Sequence, residues 1–307
     1  MKIAFCFPGQ GSLEEGMGRD VAEAVPEAMD VFERGSEASG LDLKKLCFES
    51  PLSQLVATEL QQPALVAASL AVLAALRARG IRPDYVVGHS VGEFAALVAA
   101  GIVGVEAAIG VVRERGIAMA EAAEQHPGSM AAILGLEDEV VEDLCRRIPG
   151  VWPANYNCPG QLVVSGANAS VDECCDEAER EGAKRAVKLK VSGAFHSPLV
   201  ARAAERLKPA VERIRFVPPT APFMSTVTAK AEPAQRLGTL LVDQLTAPVR
   251  FTQATRELIR DGVGTFVEVG PGNVLSGLVK RIDRSVKAVS VNNLASLQKL
   301  GETLDQA

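Results

Sequence analysis

The chain reads as an α/β protein in which a parallel sheet wrapped by helices is interrupted by a small ferredoxin-like (βαββαβ) domain. Two observations carry this. Short apolar strands alternate with longer amphipathic stretches in the first hundred residues, and the pattern resumes after residue 193. Between them, residues 128 to 192 follow the order strand, helix, strand, strand, helix, strand, which is that of a split βαβ unit. The expected division is a larger domain made of 1–127 and 193–307, with 128–192 inserted as the small one.

The first strand is KIAFCF at 2–7, with helical segments up to about residue 80. The strand PDYVVGH at 83–89 follows, and then the Ala-rich helix VGEFAALVAAG. In the small unit, GSMAAILGL is a strand, EDEVVEDLCRRI a helix, and PANYNCPGQLVVSGA two strands around a Pro-Gly turn. VDECCDEAEREG is then a helix and KRAVKLKVS, at 184–192, a strand. His126-Pro127-Gly128 and Ser192-Gly193 are turn formers at its two ends, so a site is expected between the two domains. TFVEVG is a buried strand, VLSGLVKRI a helix, and the last dozen residues a surface helix.

Composition narrows the function classes. With 307 residues, 48% hydrophobic and 23% charged, the chain can bury a large core. A net charge of -6 gives no support to phosphate-backbone binding, so nucleic acid is not an expected partner. The N-terminal apolar run meets Pro8 and Gly9 too soon to be a signal or a membrane span, which points to a cytoplasmic protein. Its six cysteines, at 6, 47, 145, 158, 174 and 175, lack metal-ligand spacing and read as free thiols. Three scattered histidines make a metal site improbable, no cofactor is implied, and a monomer is the default expectation.

Gly88-His89-Ser90-Val91-Gly92 fits GxSxG between a strand and a helix, the context a nucleophile elbow requires. The turn forces the serine into a sharp conformation at a helix N-terminus, and the flanking glycines let neighbouring backbone pass closely. Ser90 is thus a catalytic nucleophile. A serine hydroxyl needs a base, and histidine suits neutral pH. His89 adjoins the nucleophile on a strand end and is poorly aimed at it, while His126 lies in a polar linker. Elimination favours His196, in SGAFHSP, as the base. No acidic residue in a recognisable motif completes a triad, so a dyad oriented by a backbone carbonyl fits.

Residues 105 to 124 form a helix that puts Arg115 in the apolar stripe of Ala108, Val111, Val112, Ala118, Met119 and Ala122, with Arg113 opposite. A buried guanidinium requires an anion. Two readings stay open here: an internal ion pair, for instance with Glu93, or a clamp for a substrate carboxylate.

FPGQGS at 7–12, GHSVGE at 88–93, the Arg115 helix, NYNCPGQ at 155–161, GAFHSP at 193–198, QLTAPVRF at 244–251 and EVGPGNVLSGLVKRI at 268–282 occur in this order. Together they resemble the malonyl-CoA:acyl carrier protein transacylase family over nearly the whole chain. The resemblance implies an α/β-hydrolase-like catalytic domain with the ferredoxin-like insert. It implies ping-pong transfer of a malonyl group from malonyl-CoA, a substrate rather than a cofactor, to the phosphopantetheine thiol of an acyl carrier protein. It assigns Ser90 as nucleophile, His196 as base and the main-chain carbonyl of Gln244 as the group that orients the histidine. Gln10 and Val91 would form the oxyanion hole, Arg115 would grip the malonyl carboxylate, and Phe195 would narrow the acyl pocket. Gln62, Asn155, Asn157 and Gln161 match positions near that pocket. Thr226, Phe251 and Asn273 stand where Asn, Trp and Lys are common in the family, departures not expected to touch the core chemistry.

An acidic chain needs a local basic patch to meet an acidic carrier protein. Lys184, Lys188 and Lys190 on one face of a strand, and Lys280, Arg281, Arg284 and Lys287, are the candidates. A serine thioesterase or acyl hydrolase could use the same elbow and base, and is the competing reading.

Overall fold

The computed structural model describes residues 2 to 305. Its strands, in chain order, are β1 (Lys2–Phe7), β2 (Tyr85–Gly88), β3 (Gly128–Leu134), β4 (Val151–Cys158), β5 (Gln161–Ala167), β6 (Arg185–Lys188), β7 (Phe223–Ser225), β8 (Lys230–Ala231), β9 (Val263–Val269) and β10 (Lys287–Val291). Six of them form one sheet in the order β10-β9-β1-β2-β7-β8, parallel throughout except where β8 runs against β7. Strands buried on both faces need continuous apolar runs, and the inner residues Ala4, Phe5, Cys6 and Phe7 of β1 are buried. Phe7 pairs with Gly88, so β1 and β2 end at the same level and release their following loops side by side at the carboxyl edge. That edge is where α/β sheets bind ligands.

The longest helices, Thr58–Ala78 and Val105–Gln125, pack across each other. By length and hydropathy the first could cross a membrane, but 83% of its most apolar window is buried inside the fold. At the crossing a Cβ on Gly116 would lie 2.7 Å from Glu59 Cα, so only glycine allows the approach. Pro63 lacks the N–H that would bond the Glu59 carbonyl, and Arg113 donates to that carbonyl at 2.7 Å instead. This crossing brings Gln62 alongside Arg115.

The other four strands form an antiparallel sheet in the order β4-β5-β3-β6. Side chains alternate across it. Ala131 and Ile133 pack under the helices Asp138–Arg147 and Asn168–Arg180, while Met130 and Ala132 join the core of the large sheet. Strand β4 is tied to the segment before the helix Phe251–Arg260, through Tyr156 N–H to Val249 O at 2.9 Å and Val249 N–H to Ala154 O at 2.8 Å. Asn155 and Asn157 are thereby held over the carboxyl edge.

Two expectations need correction. The strand expected to run to Ser192 stops at Lys188; Leu189 N–H still bonds Met130 O at 2.9 Å, and beyond the strand Leu189 and Val191 line a cavity. Lys184 and Lys190 therefore lie outside the strand, and Lys188 pairs with Asp172. The final helix, Leu294–Asp305, is more than a surface element: Leu297 and Leu300 are buried in the main core.

Candidate active site

Ser90 sits in the turn between β2 and the helix Gly92–Ala99 with φ 52°, the left-handed region that a non-glycine residue enters only under constraint. The constraint is visible on both sides. A Cβ on Gly88 would lie 2.2 Å from Glu93 N, and one on Gly92 would lie 2.2 Å from Phe7 O. Glycine at these two positions lets the turn close against β1.

His196 also has a left-handed backbone, φ 57°. Its Nδ1 lies 2.9 Å from Gln244 O and 3.1 Å from Ala247 O. Carbonyls only accept, so Nδ1 carries the proton and Nε2 presents a lone pair. That lone pair faces Ser90 Oγ at 2.8 Å, with the hydroxyl donating. Burial, and then the nearby Arg115 charge, push the His196 pKa down to about 3, so the ring is neutral at neutral pH. His89 is half-buried, holds Asn157 Oδ1 at 2.9 Å, and has its pKa lowered chiefly by desolvation. His126 is exposed at the end of its helix, away from this group.

Arg115 is 1% exposed, and every member of the apolar stripe around it is buried. The guanidinium donates to Gln62 Oε1 at 2.6 Å, Gln244 Oε1 at 3.0 Å and Ser90 Oγ at 3.2 Å, and lies 6.0 Å from the centre of the Phe94 ring. Its Nε is buried without a partner among the described residues. Burial lowers its pKa to about 10, against the pull of Glu93, and it remains a cation at neutral pH. The Gln244 side chain links Arg115 to the Glu93 carboxylate: Glu93 accepts from Gln244 Nε2 and from the N–H and hydroxyl of Thr226.

A cavity of about 140 Å³ opens onto Ser90. Gly9 and Gln10 from the loop after β1, Phe195 and His196, Asn155 and Asn157 of β4, and Val274, Leu275 and Leu278 of the helix Val274–Ile282 all line it. Val91 is the N-cap of the helix after Ser90, so its N–H lies outside the helical ladder. Gln62 is absent from the lining and serves as a partner of Arg115. Gln161 is also elsewhere, accepting from Arg281 at 2.7 Å on the surface. A larger groove, about 570 Å³ between the helices Ala201–Glu212 and Ala234–Asp243, contains none of these residues.

The chain matches the acyl transferase domain family over residues 4–305. It is 41% identical to the malonyl CoA-acyl carrier protein transacylase of Bacillus subtilis, covering 99% of this chain and 98% of that one. The chain belongs to the malonyl CoA-acyl carrier protein transacylase family. The transacylase from Clostridium perfringens superposes with a TM-score of 0.95 at 36% identity, over 100% of this chain and 98% of that one. A malonyl-transacylase solved in complex with a type II polyketide acyl-carrier protein gives 0.95 at 39%, over 99% and 100%.

Two of the positions that depart from the transacylase family pattern lie behind the site and touch neither Ser90 nor His196 directly. Thr226 holds Glu93, and the Phe251 ring lies 5.8 Å from that of His89. Sequence reasoning missed Glu268, whose carboxylate accepts from Leu275 N–H at 2.9 Å and Ser276 N–H at 2.8 Å. It caps the helix that supplies one wall of the cavity. The signal was present in the acidic residue six positions before that helix.

Proposed function

We propose that this acyltransferase moves a malonyl group from coenzyme A to the phosphopantetheine thiol of an acyl carrier protein through an ester on Ser90. The observation that carries it is Arg115. A fully buried cation that donates to the nucleophile, with no carboxylate in ion-pair contact among the described residues, calls for an anion carried by the acyl group itself. Malonyl brings such a carboxylate.

Ser90 Oγ attacks the thioester carbonyl while its proton passes to His196 Nε2. The negative charge on the carbonyl oxygen is met by the backbone N–H groups of Gln10 and Val91. Collapse breaks the C–S bond, and His196 returns the proton to the departing coenzyme A sulfur. The carrier thiol then repeats the sequence in reverse, giving its proton to His196 as its sulfur attacks the seryl ester. The Gln244 carbonyl stabilises the imidazolium that forms in each half, a role a carboxylate plays in a triad. The small antiparallel sheet acts as a separate domain covering the acyl unit, with Phe195 narrowing the space beside its α-carbon and Asn157 fixing His89 beside it.

Intact mass after brief exposure to malonyl-CoA should show one malonyl adduct, absent in Ser90→Ala and discharged by holo carrier protein. An adduct that persists in Ser90→Ala would overturn the ester. Release of free malonate without a thiol acceptor would support the hydrolase reading instead.

A further inference from the structure

Glu93 closes the GHSVGE turn, is 1% exposed, and takes no part in the chemistry above. Its Oε1 accepts from the Thr226 N–H at 2.6 Å and the Thr226 hydroxyl at 2.7 Å, and its Oε2 accepts from Gln244 Nε2. An ionised carboxylate only accepts, so the Gln244 amide must turn its NH2 toward Glu93. The same NH2 donates to Ser90 O at 3.1 Å, a second acceptor. Gln244 Oε1 is left facing Arg115, whose NH2 donates to it at 3.0 Å and also reaches Ser90 Oγ at 3.2 Å. The main-chain oxygen of the same residue orients His196.

We propose that Glu93 is a positioning residue: by fixing which way the Gln244 amide faces, it aims Arg115 and His196 at Ser90. The inference rests on the malonyl-transfer reading of this site. If the amide were reversed, its NH2 would meet the Arg115 guanidinium, donor against donor, and its oxygen would meet the Ser90 carbonyl, acceptor against acceptor. The Glu93 carboxylate is the charged acceptor among these groups, and it adds to the Arg115 and Ser90 contacts in holding the working orientation. Glu93→Gln keeps the volume, but every arrangement of the two amides then leaves a donor facing a donor, at Gln244, at Thr226 or at Arg115.

The test is a double-variant cycle of Glu93→Gln and Gln244→Leu, reading kcat/KM with malonyl-CoA, the malonyl-to-acetyl preference and the melting temperature. Hydrogen bonds to charged groups of this kind set the scale, so each single variant should lose about tenfold to a hundredfold with malonyl-CoA. The malonyl-to-acetyl preference should fall in each. The double variant should be no slower than Gln244→Leu alone, within about twofold, because Glu93 acts through Gln244. Losses that multiply in the double variant would overturn the proposal. So would an unchanged rate in Glu93→Gln, or a loss equal on both substrates and matched by a fall in melting temperature. A wild-type chain that takes no malonyl group would overturn the functional reading, and this inference with it, before any variant is compared.

Discussion

His196 Nε2 stands 2.8 Å from Ser90 Oγ, and both residues hold left-handed backbone angles of 57° and 52°. The two strained turns come from different parts of the chain, 106 residues apart, and meet at the carboxyl edge of the sheet. Strain of this kind costs on the order of 1–3 kcal/mol per residue and persists only where the surroundings impose it. Here the close packing of the Ser90 turn on β1, and the bond from His196 N–H to Leu245 O at 3.1 Å, impose it.

His196→Ala should slow acylation of Ser90 by about a hundredfold or more, the contribution general bases make. His126→Ala, at an exposed helix end, should leave it unchanged. Rapid-quench measurement of the malonyl adduct compares the two, and similar rates in both variants would remove His196 from the role.

Phe195 is 3% exposed and lines the cavity beside Met119, Met130 and Val163. Phe195→Ser should open space next to the α-carbon and raise the rate with methylmalonyl-CoA relative to malonyl-CoA by about tenfold, the worth of one methyl group in an apolar pocket. A competition assay with both thioesters reads the ratio directly; an unmoved ratio would put the selection elsewhere.

What was legible in the sequence follows from how local each signal is. The Ser90 turn is coded within five consecutive residues, and the Arg115 stripe within one helix, so both could be read directly. His196 could be reached only by elimination, because its partner is a main-chain carbonyl 48 residues away, and a carbonyl leaves no mark on residue type. The Glu93 cluster closes across 133 residues to Thr226 and 151 to Gln244, through neutral amide and hydroxyl groups that look like ordinary surface residues in a sequence. The end of the strand at Lys188 was hidden for a related reason: KLKVS alternates as a strand does, and the cavity that Leu189 and Val191 line is built from distant segments.

The pH profile separates two buried groups. Burial, opposed by its Thr226 and Gln244 bonds and by the charge of Arg115, raises the Glu93 pKa to about 6, while His196 lies near 3 and His89 is also shifted down. Below about pH 6 Glu93 gains a proton and ceases to be a pure acceptor, so kcat/KM for malonyl transfer should fall as pH drops through that value. His196 would lose its lone pair only at much lower pH. In Glu93→Gln the fall near 6 should vanish and leave a flat, lower profile; a fall that survives in that variant would assign it to another group.

Arg115 gives the sharpest test, because its two possible roles move different observables. At about 4 Å and an effective dielectric near 20, a guanidinium–carboxylate pair is worth on the order of 4 kcal/mol before desolvation is subtracted. Arg115→Ala should therefore lower malonyl transfer by roughly a hundredfold, about 3 kcal/mol of transition-state stabilisation. Acetyl transfer should hold steady or rise, since the variant also removes the donor that contacts Ser90 Oγ and the charge that depresses His196. Arg115→Lys keeps the charge but cannot bond Gln62, Gln244 and Ser90 at once as the planar fork does, so it should restore only part of the malonyl activity. Were Arg115 only a brace between Gln62 and Gln244, the Ala variant would lose thermal stability and both activities in parallel. Melting temperature measured beside malonyl and acetyl transfer distinguishes these outcomes, and equal losses on the two substrates would exclude the clamp.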